Sequence, residues 1–406
     1  MNSVLRLLVH GTVALSFVFA LAGWMGVRLA PAETGRAHLR ADWYPSPIAT
    51  RGPGYSPGEA ARAEAPGASS SAPGAVGAPP RAVPAPRPAP TPTPRPDPRA
   101  ALPTVRATGT GGQLDPLPPA AWLQDKSWLD RELDGHAPPP RGELRGARFF
   151  SRALMREVAY LAWLPPGYGT SGAAYPTLYL LHGAGSWEGH GIEEWLGYAL
   201  TEDLEGLLSL QLTSPMIVIL PEGEQGYWVN HTDGGPRWAD FVAIDLVKHV
   251  DATFLTDARR ERRAIGGLSM GGHGALQLAL NHPDVFAVAG AHSPTLRPFE
   301  LSPRFFGDER EFAQMDPLTL VQTTDAARRL LIWLDVGDDD RWRPEVEEVV
   351  RALSARNAPF IFHLLAGDHE GWYWEEYLPV YLRFYSAALS AREWSPQGAP
   401  IVKTLT

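Results

Sequence analysis

The sequence predicts an α/β fold in which a mostly parallel central sheet is flanked by helices. Short apolar runs that suit strands buried on both faces alternate with helical patterns along residues 119–392. Within this region, Gly267-Leu268-Ser269-Met270-Gly271 reads as the end of a strand, a tight turn and the start of a helix. This G-x-S-x-G pattern projects a nucleophilic Ser from a strained turn, at the edge of the sheet where parallel strands end and ligands bind.

The composition limits the functional classes. The chain has 406 residues, and its 40 Pro and 40 Gly are too many for one compact domain. The net charge of -9, without a basic stripe, argues against nucleic acid as a partner. The sequence contains no Cys, which excludes disulfides, a thiol nucleophile and thiolate metal ligands. It implies no cofactor and no metal, and it gives no information on oligomeric state.

The first 118 residues form two segments of different composition. Residues 1–32 contain a mostly apolar run, 12–27, which predicts a signal peptide or a membrane anchor. Residues 33–118 are a Pro/Ala/Gly-rich linker, which buries too little apolar surface to offset its chain entropy and is expected to be disordered. We therefore expect an exported protein, either secreted or anchored on the extracytoplasmic side of a membrane through residues 12–27. The sequence does not decide whether residues 1–32 are cleaved.

The predicted catalytic domain, residues 119–392, follows a regular order of elements, with a C-terminal tail over 393–406. Strands are predicted over 142–150, 158–164, 176–181, 216–220, 263–268, 286–291, 330–336 and 360–365. Helices are predicted over 122–133, 192–208, 238–254, 275–280, 345–356 and 374–389, and residues 298–325 are predicted to be irregular. This alternation favours parallel strands joined by right-handed crossovers.

Ser269 is the predicted nucleophile, and its chemistry requires a base and an acid that orients the base. In this architecture the chain order is Ser, acid, His, which leaves His363 and His369 as candidate bases. His363 lies inside the last strand, where we expect a packed histidine. His369 lies in a polar turn just after that strand, and we predict that it is the base.

The acid should follow the preceding strand, where Asp338, Asp339 and Asp340 are adjacent. Composition does not choose among them, and no ligand pattern supports a metal site made from the triplet. The oxyanion that forms on the attacked carbonyl needs backbone N–H donors, which we assign to Met270 and to Gly183 or Ala184. The candidate residues of the substrate pocket are His182, Tyr227, Trp228 and His292.

Several motifs resemble the esterase D family of the α/β-hydrolases, which includes S-formylglutathione hydrolase, feruloyl and enterochelin esterases, and antigen 85 mycolyltransferases. The resemblance covers roughly residues 140–390. The motifs are Leu164-Pro165-Pro166-Gly167-Tyr168, Tyr179-Leu180-Leu181-His182-Gly183, the stretch from Gly266 to Leu276, His282-Pro283-Asp284-Val285-Phe286, and Gly367-Asp368-His369 followed by Trp372 and Trp374. The resemblance implies an α/β-hydrolase fold with Ser269 as nucleophile and His369 as base. The family's acid commonly lies three residues after a strand-ending Gly, which is Asp340 here, with Asp339 and Asp338 still open.

The sequence therefore predicts a serine esterase that hydrolyses a small-molecule carboxylic ester or thioester through an acyl-enzyme. Two other hypotheses stay open. An envelope acyltransferase would pass the acyl group to a sugar or lipid hydroxyl, and it would acylate an added alcohol in preference to hydrolysis. A non-catalytic binding module on a hydrolase scaffold would not react with a fluorophosphonate probe.

Overall fold

The computed structural model describes residues 126–170, 172–184, 191–390 and 402–405. The segments predicted as signal peptide or anchor and as linker, residues 1–118, lie outside the described residues. A search of the described helices finds none that combines the length and the apolar character needed to cross a membrane.

One sheet forms the centre of the described part. Its strands are β1 (Glu143–Ser151), β2 (Arg156–Leu164), β3 (Thr177–Leu181), β4 (Ile217–Pro221), β5 (Arg263–Leu268), β6 (Val288–His292), β7 (Leu331–Gly337), β8 (Phe360–Leu365) and β9 (Val402–Leu405). The order across the sheet is β1-β2-β4-β3-β5-β6-β7-β8-β9. β2 pairs antiparallel with β1 and β4, and the other neighbours pair in parallel. The predicted α/β fold with a mostly parallel sheet is confirmed, and β9 lies within the segment predicted as a tail.

Helices lie on both faces of the sheet. They are α1 (Ser127–Leu133), α2 (Glu194–Gly197), α3 (Leu200–Ser209), α4 (Trp238–Asp240), α5 (Val247–Thr253), α6 (Met270–Asn281), α7 (Glu309–Phe312), α8 (Pro317–Thr323), α9 (Arg343–Ala355) and α10 (Gly371–Ser390). A π-helical segment, Phe241–Leu246, joins α4 to α5. The helix predicted over 192–208 is divided at Ala199, whose φ of 64° lies in the left-handed region.

The prediction that residues 298–325 are irregular is wrong in part, because α7 and α8 lie there. Each begins at an aspartate that caps it. The Asp308 side chain accepts a hydrogen bond from the Glu311 N–H in a capping box, and the Asp316 side chain accepts one from the Thr319 N–H. Both helices have seven residues or fewer, too few for an apolar periodicity to be evident, so the caps were their main signal in the sequence.

The strands alternate between two apolar cores, one on each face of the sheet. Ile332 and Leu334 of β7 point into the core beneath α6 and α9. Leu331 and Trp333 point into the core beneath α3 and α10. Each fully buried side chain of this size contributes about 1.5–3 kcal/mol. His363 is 2% exposed, which confirms it as a packed strand residue. The parallel strands β5 to β8 therefore form a rigid base, and their carboxyl ends lie side by side.

Candidate active site

Ser269 alone makes the turn between β5 and α6. Its φ of 52° and ψ of -115° are strained for a residue with a side chain, at about 1–3 kcal/mol. The neighbouring glycines are required by close packing. A Cβ at Gly267 would lie 2.3 Å from the Gly271 carbonyl oxygen, and a Cβ at Gly271 would lie 2.3 Å from the Leu181 oxygen. The small residues of the motif thus let three stretches of backbone meet beneath the Ser.

Ser269, His369 and Asp340 form a continuous chain of hydrogen bonds at the ends of β5, β8 and β7. Ser269 Oγ lies 2.9 Å from His369 Nε2, and His369 Nδ1 lies 2.7 Å from Asp340 Oδ2. Asp340 is 5% exposed, whereas Asp338 and Asp339 are exposed. Asp338 Oδ1 instead accepts the Gly367 N–H. Of the three carboxylates that the sequence left open, Asp340 is the one that reaches His369.

The environment of Asp340 favours its charged form. Burial raises the pKa of a carboxyl, but hydrogen bonds from His369, the Ser293 hydroxyl and the Trp342 N–H outweigh that effect and hold the pKa of Asp340 below its ordinary value. The ionised carboxylate therefore faces Nδ1 at neutral pH. This fixes the tautomer in which Nε2 can accept a proton from Ser269.

Thr295 also contacts Ser269, although it belongs to no motif in the sequence. Its Oγ1 lies 2.9 Å from Ser269 Oγ, and its N–H donates to the Ser269 carbonyl at 2.9 Å. Ser269 has one hydroxyl proton, which points to His369 Nε2 in the reactive arrangement. Thr295 is then the donor to Ser269 Oγ. The only sequence signal for Thr295 was its position just after the end of β6.

Replacing Thr295 with Val is expected to lower kcat about 10-fold, because one hydrogen bond that orients Ser269 Oγ is lost. The Thr295→Ser variant keeps the hydroxyl and should recover most of this loss. The measurement is kcat and KM for 4-nitrophenyl acetate, together with the melting temperature of each variant. A Val variant with unchanged kcat, or a Ser variant as slow as the Val variant, would rule out this role for the hydroxyl.

The structure corrects one of the predicted oxyanion donors. The Gly183 N–H donates to Glu194 Oε2 at 2.6 Å, so it is not available to a substrate. Burial raises the pKa of Glu194, and this N–H acts in the opposite direction. The N–H of Met270 lies in the first turn of α6, where a helix leaves its N–H groups without an intrahelical partner. Met270 and Ala184 remain the candidate donors. Glu194, which the sequence did not indicate, holds the loop that contains Gly183 and Ala184.

Three of the four predicted pocket residues lie beneath the site rather than in it. His182 is 1% exposed, and its ring nitrogens contact the Gly183 carbonyl and the Gly223 N–H. Trp228 is fully buried, and its indole N–H donates to the His182 carbonyl. His292 is fully buried between Asp335 and Tyr385. These predictions are wrong because proximity to a strand end does not determine which way a side chain points. Tyr227 is 6% exposed, and its hydroxyl accepts a hydrogen bond from Arg297.

Comparisons with known proteins agree on one family. Residues 151–385 match the family model described as "Putative esterase". Esterase Rv1288 of Mycobacterium tuberculosis is 37% identical over 150 residues, which cover 36% of this chain and 31% of that protein. An acetyl esterase of Caldicellulosiruptor saccharolyticus is 24% identical over 258 residues, which cover 57% of this chain and 93% of that protein. The match thus spans about a third of the mycobacterial relative's length.

Solved structures show the same fold. A ferulic acid esterase superposes with a TM-score of 0.56 at 23% identity, covering 62% of this chain and 99% of that chain. The fluorophosphonate-binding serine hydrolase FphF of Staphylococcus aureus gives a TM-score of 0.53 at 21% identity, covering 61% of this chain and 99% of that chain. At these identities the likeness establishes the arrangement of strands and helices, which is that of an α/β-hydrolase.

Proposed function

The chain belongs to the esterase family, and on that premise we propose that it is a serine hydrolase that cleaves carboxylic esters. The observation that carries the proposal is the hydrogen-bonded chain Ser269–His369–Asp340. Each member lies at the carboxyl end of a different parallel strand, and each has the chemistry that acyl transfer requires. The relatives named as esterases support the same reaction class.

In the proposed reaction, Ser269 Oγ attacks the ester carbonyl carbon while His369 Nε2 takes its proton. Asp340 stabilises the imidazolium that results. The N–H groups of Met270 and Ala184 donate to the oxyanion of the tetrahedral intermediate. The intermediate collapses when the bond to the leaving oxygen breaks, and His369 returns its proton to that oxygen to release the alcohol. Water then attacks the acyl-enzyme by the same route, which releases the acid and restores Ser269.

A fluorophosphonate probe tests this proposal on the full chain. We expect covalent modification at Ser269, located by peptide mass spectrometry, and turnover of a series of 4-nitrophenyl esters from acetate to octanoate. The Ser269→Ala variant should neither be labelled nor turn over ester. Ser302→Ala is the matched control, because the Ser302 hydroxyl bonds only to the Pro298 carbonyl among the described contacts, and it should be labelled normally. Absence of both labelling and hydrolysis in the wild-type protein would refute the proposal.

A further inference from the structure

Arg297 lies at the edge of the proposed site, two residues after Thr295. Leu296, between them, is 5% exposed and packs in the core. Thr295 instead reaches Ser269, and Arg297 reaches Tyr227 and Trp342. The N–H of Trp342 donates to Asp340, so Trp342 belongs to the loop that carries the acid. Arg297 therefore connects the loop after β4 with the acid loop after β7, two residues along the chain from the Thr295 that contacts Ser269.

Two aromatic rings and one hydrogen bond fix the guanidinium of Arg297. Its Cζ lies 5.7 Å from the ring centre of Tyr227 and 5.0 Å from that of Trp342. Its Nε donates to the Tyr227 hydroxyl at 2.7 Å. Tyr227 is itself held with a φ of 53°, in a region that residues with side chains rarely adopt. Both rings lie close to the guanidinium, and the one described hydrogen bond of its side chain uses Nε. No described hydrogen bond or ion pair uses its two terminal Nη groups.

No carboxylate among the described residues pairs with Arg297. Other partly buried arginines do have such partners, as in Arg356, whose Nη2 lies 2.7 Å from Asp325 Oδ1. A positioned guanidinium with two parallel N–H donors matches the geometry of a carboxylate. Arg297 is partly buried, and a bound carboxylate would supply the ionic partner that the described residues do not.

We propose that Arg297 binds a carboxylate carried by the substrate, so that the enzyme prefers anionic esters to neutral ones. This inference rests on the proposed function, because it names the substrate class of the same site. The carboxylate sits either on the acyl part of the ester or on its leaving group. Arg297 acts in binding and takes no part in bond making or breaking.

Two matched pairs of esters test the preference and distinguish the two positions. The first pair is 4-nitrophenyl hemisuccinate and its methyl ester, which differ in charge on the acyl part. The second is 4-acetoxybenzoate and its methyl ester, which differ in charge on the leaving group. The wild-type protein should favour the anionic member of one pair by about 10- to 100-fold in kcat/KM, the range expected for hydrogen bonds to a charged group.

The variants assign that preference to one side chain. In Arg297→Met the ratio of kcat/KM values within the pair should fall toward one, mainly through KM, and Arg297→Lys should give an intermediate ratio. Arg341→Met is the matched control, because Arg341 also lies over the Trp342 ring, at 5.4 Å, but is exposed. Its ratio should equal that of the wild-type protein. The proposal is overturned by a wild-type ratio near one in both pairs, by an unchanged ratio in Arg297→Met, or by an equal loss in Arg341→Met.

Binding without turnover separates this inference from the proposed function. Calorimetry measures the Kd of the favoured anionic ester for the Ser269→Ala variant and for the Ser269→Ala/Arg297→Met double variant. If the wild-type protein hydrolyses neither anionic ester, both esters are measured. Weaker binding in the double variant supports the anion site even if Ser269 proves unreactive toward fluorophosphonate. Equal binding in the two proteins overturns the anion site even if ester hydrolysis is established.

Discussion

Replacing Asp340 with Asn is expected to lower kcat about 10⁴-fold at neutral pH, the loss seen when a triad acid is made neutral without a change of shape. Asp340 Oδ1 accepts the Trp342 N–H at 2.7 Å, and Oδ2 accepts both the Ser293 hydroxyl and His369 Nδ1. An Asn can keep the bond from Trp342 through its oxygen. Its amide NH₂ then faces His369, so Nδ1 must become an acceptor and the ring proton moves to Nε2. A protonated Nε2 cannot take the proton of Ser269.

The same substitution at the two adjacent aspartates is the control. Asp338 and Asp339 are exposed and do not contact His369, so Asp338→Asn and Asp339→Asn should leave kcat close to the wild-type value. The measurement is steady-state hydrolysis of 4-nitrophenyl acetate by the four proteins, with circular dichroism to show that each is folded. The fluorophosphonate labelling rate should fall only in Asp340→Asn. A comparable loss in either control would move the acid to that position, and full activity in Asp340→Asn would exclude its role.

The pairing of Ser269 with His369 could be predicted from the sequence because the signals for both residues are local. Gly267 and Gly271 mark a turn that only small residues allow, and His369 is set by chain order and by the end of β8. Asp340 could not be selected from the three adjacent aspartates in this way, because the choice depends on how two loops pack. A Cβ at Gly337 would lie 2.3 Å from the Gly367 carbonyl oxygen, so the loops after β7 and β8 touch, and that contact turns Asp340 inward.

The residues that the sequence missed are placed by contacts between distant parts of the chain. Thr295 lies 26 residues from Ser269, and Glu194 reaches Gly183 from a separate helix. Neither belongs to a local pattern. The wrong pocket assignments have a related cause. His292 ends β6, and a strand end can direct a side chain to either face of the sheet. The succession of strands and helices along the chain, and the helices on both faces of the sheet, were predictable, whereas the side chains that line the site were not.

Replacing Asp335 with Asn is expected to lower the free energy of unfolding by about 2–6 kcal/mol, because two buried donors lose their acceptor. Asp335 is fully buried in β7 and accepts four hydrogen bonds. Oδ1 receives the hydroxyls of Tyr373 at 2.8 Å and Tyr381 at 2.9 Å. Oδ2 receives Trp333 Nε1 at 2.8 Å and lies 2.7 Å from His292 Nδ1. A carboxylate has acceptor sites for all four donors.

An Asn in this place satisfies two of the four donors at most. Its NH₂ group faces the other two, and each buried donor left unpaired costs about 1–3 kcal/mol. Burial raises the pKa of Tyr373 and of Tyr381 well above the ordinary value, so both hydroxyls keep their protons and still need an acceptor. Equilibrium unfolding in urea measures the loss, and Asp339→Asn, an exposed aspartate, should stay within about 0.5 kcal/mol of the wild-type protein. A loss below about 1 kcal/mol in Asp335→Asn, typical of an ordinary substitution, would contradict a structural role for the network.

The network also supports the turn at Ser269, which separates this variant from Asp340→Asn. The His292 carbonyl accepts the N–H of Ser269 at 3.1 Å and the indole N–H of Trp374 at 3.0 Å. Trp374 in turn packs edge-on against the His369 ring. Loss of the Asp335 contact removes one restraint on His292. The turn at Ser269 and the ring of His369, which depend on His292, then lose support. Activity in Asp335→Asn should therefore fall along with stability, whereas Asp340→Asn should lose activity while its secondary structure is retained.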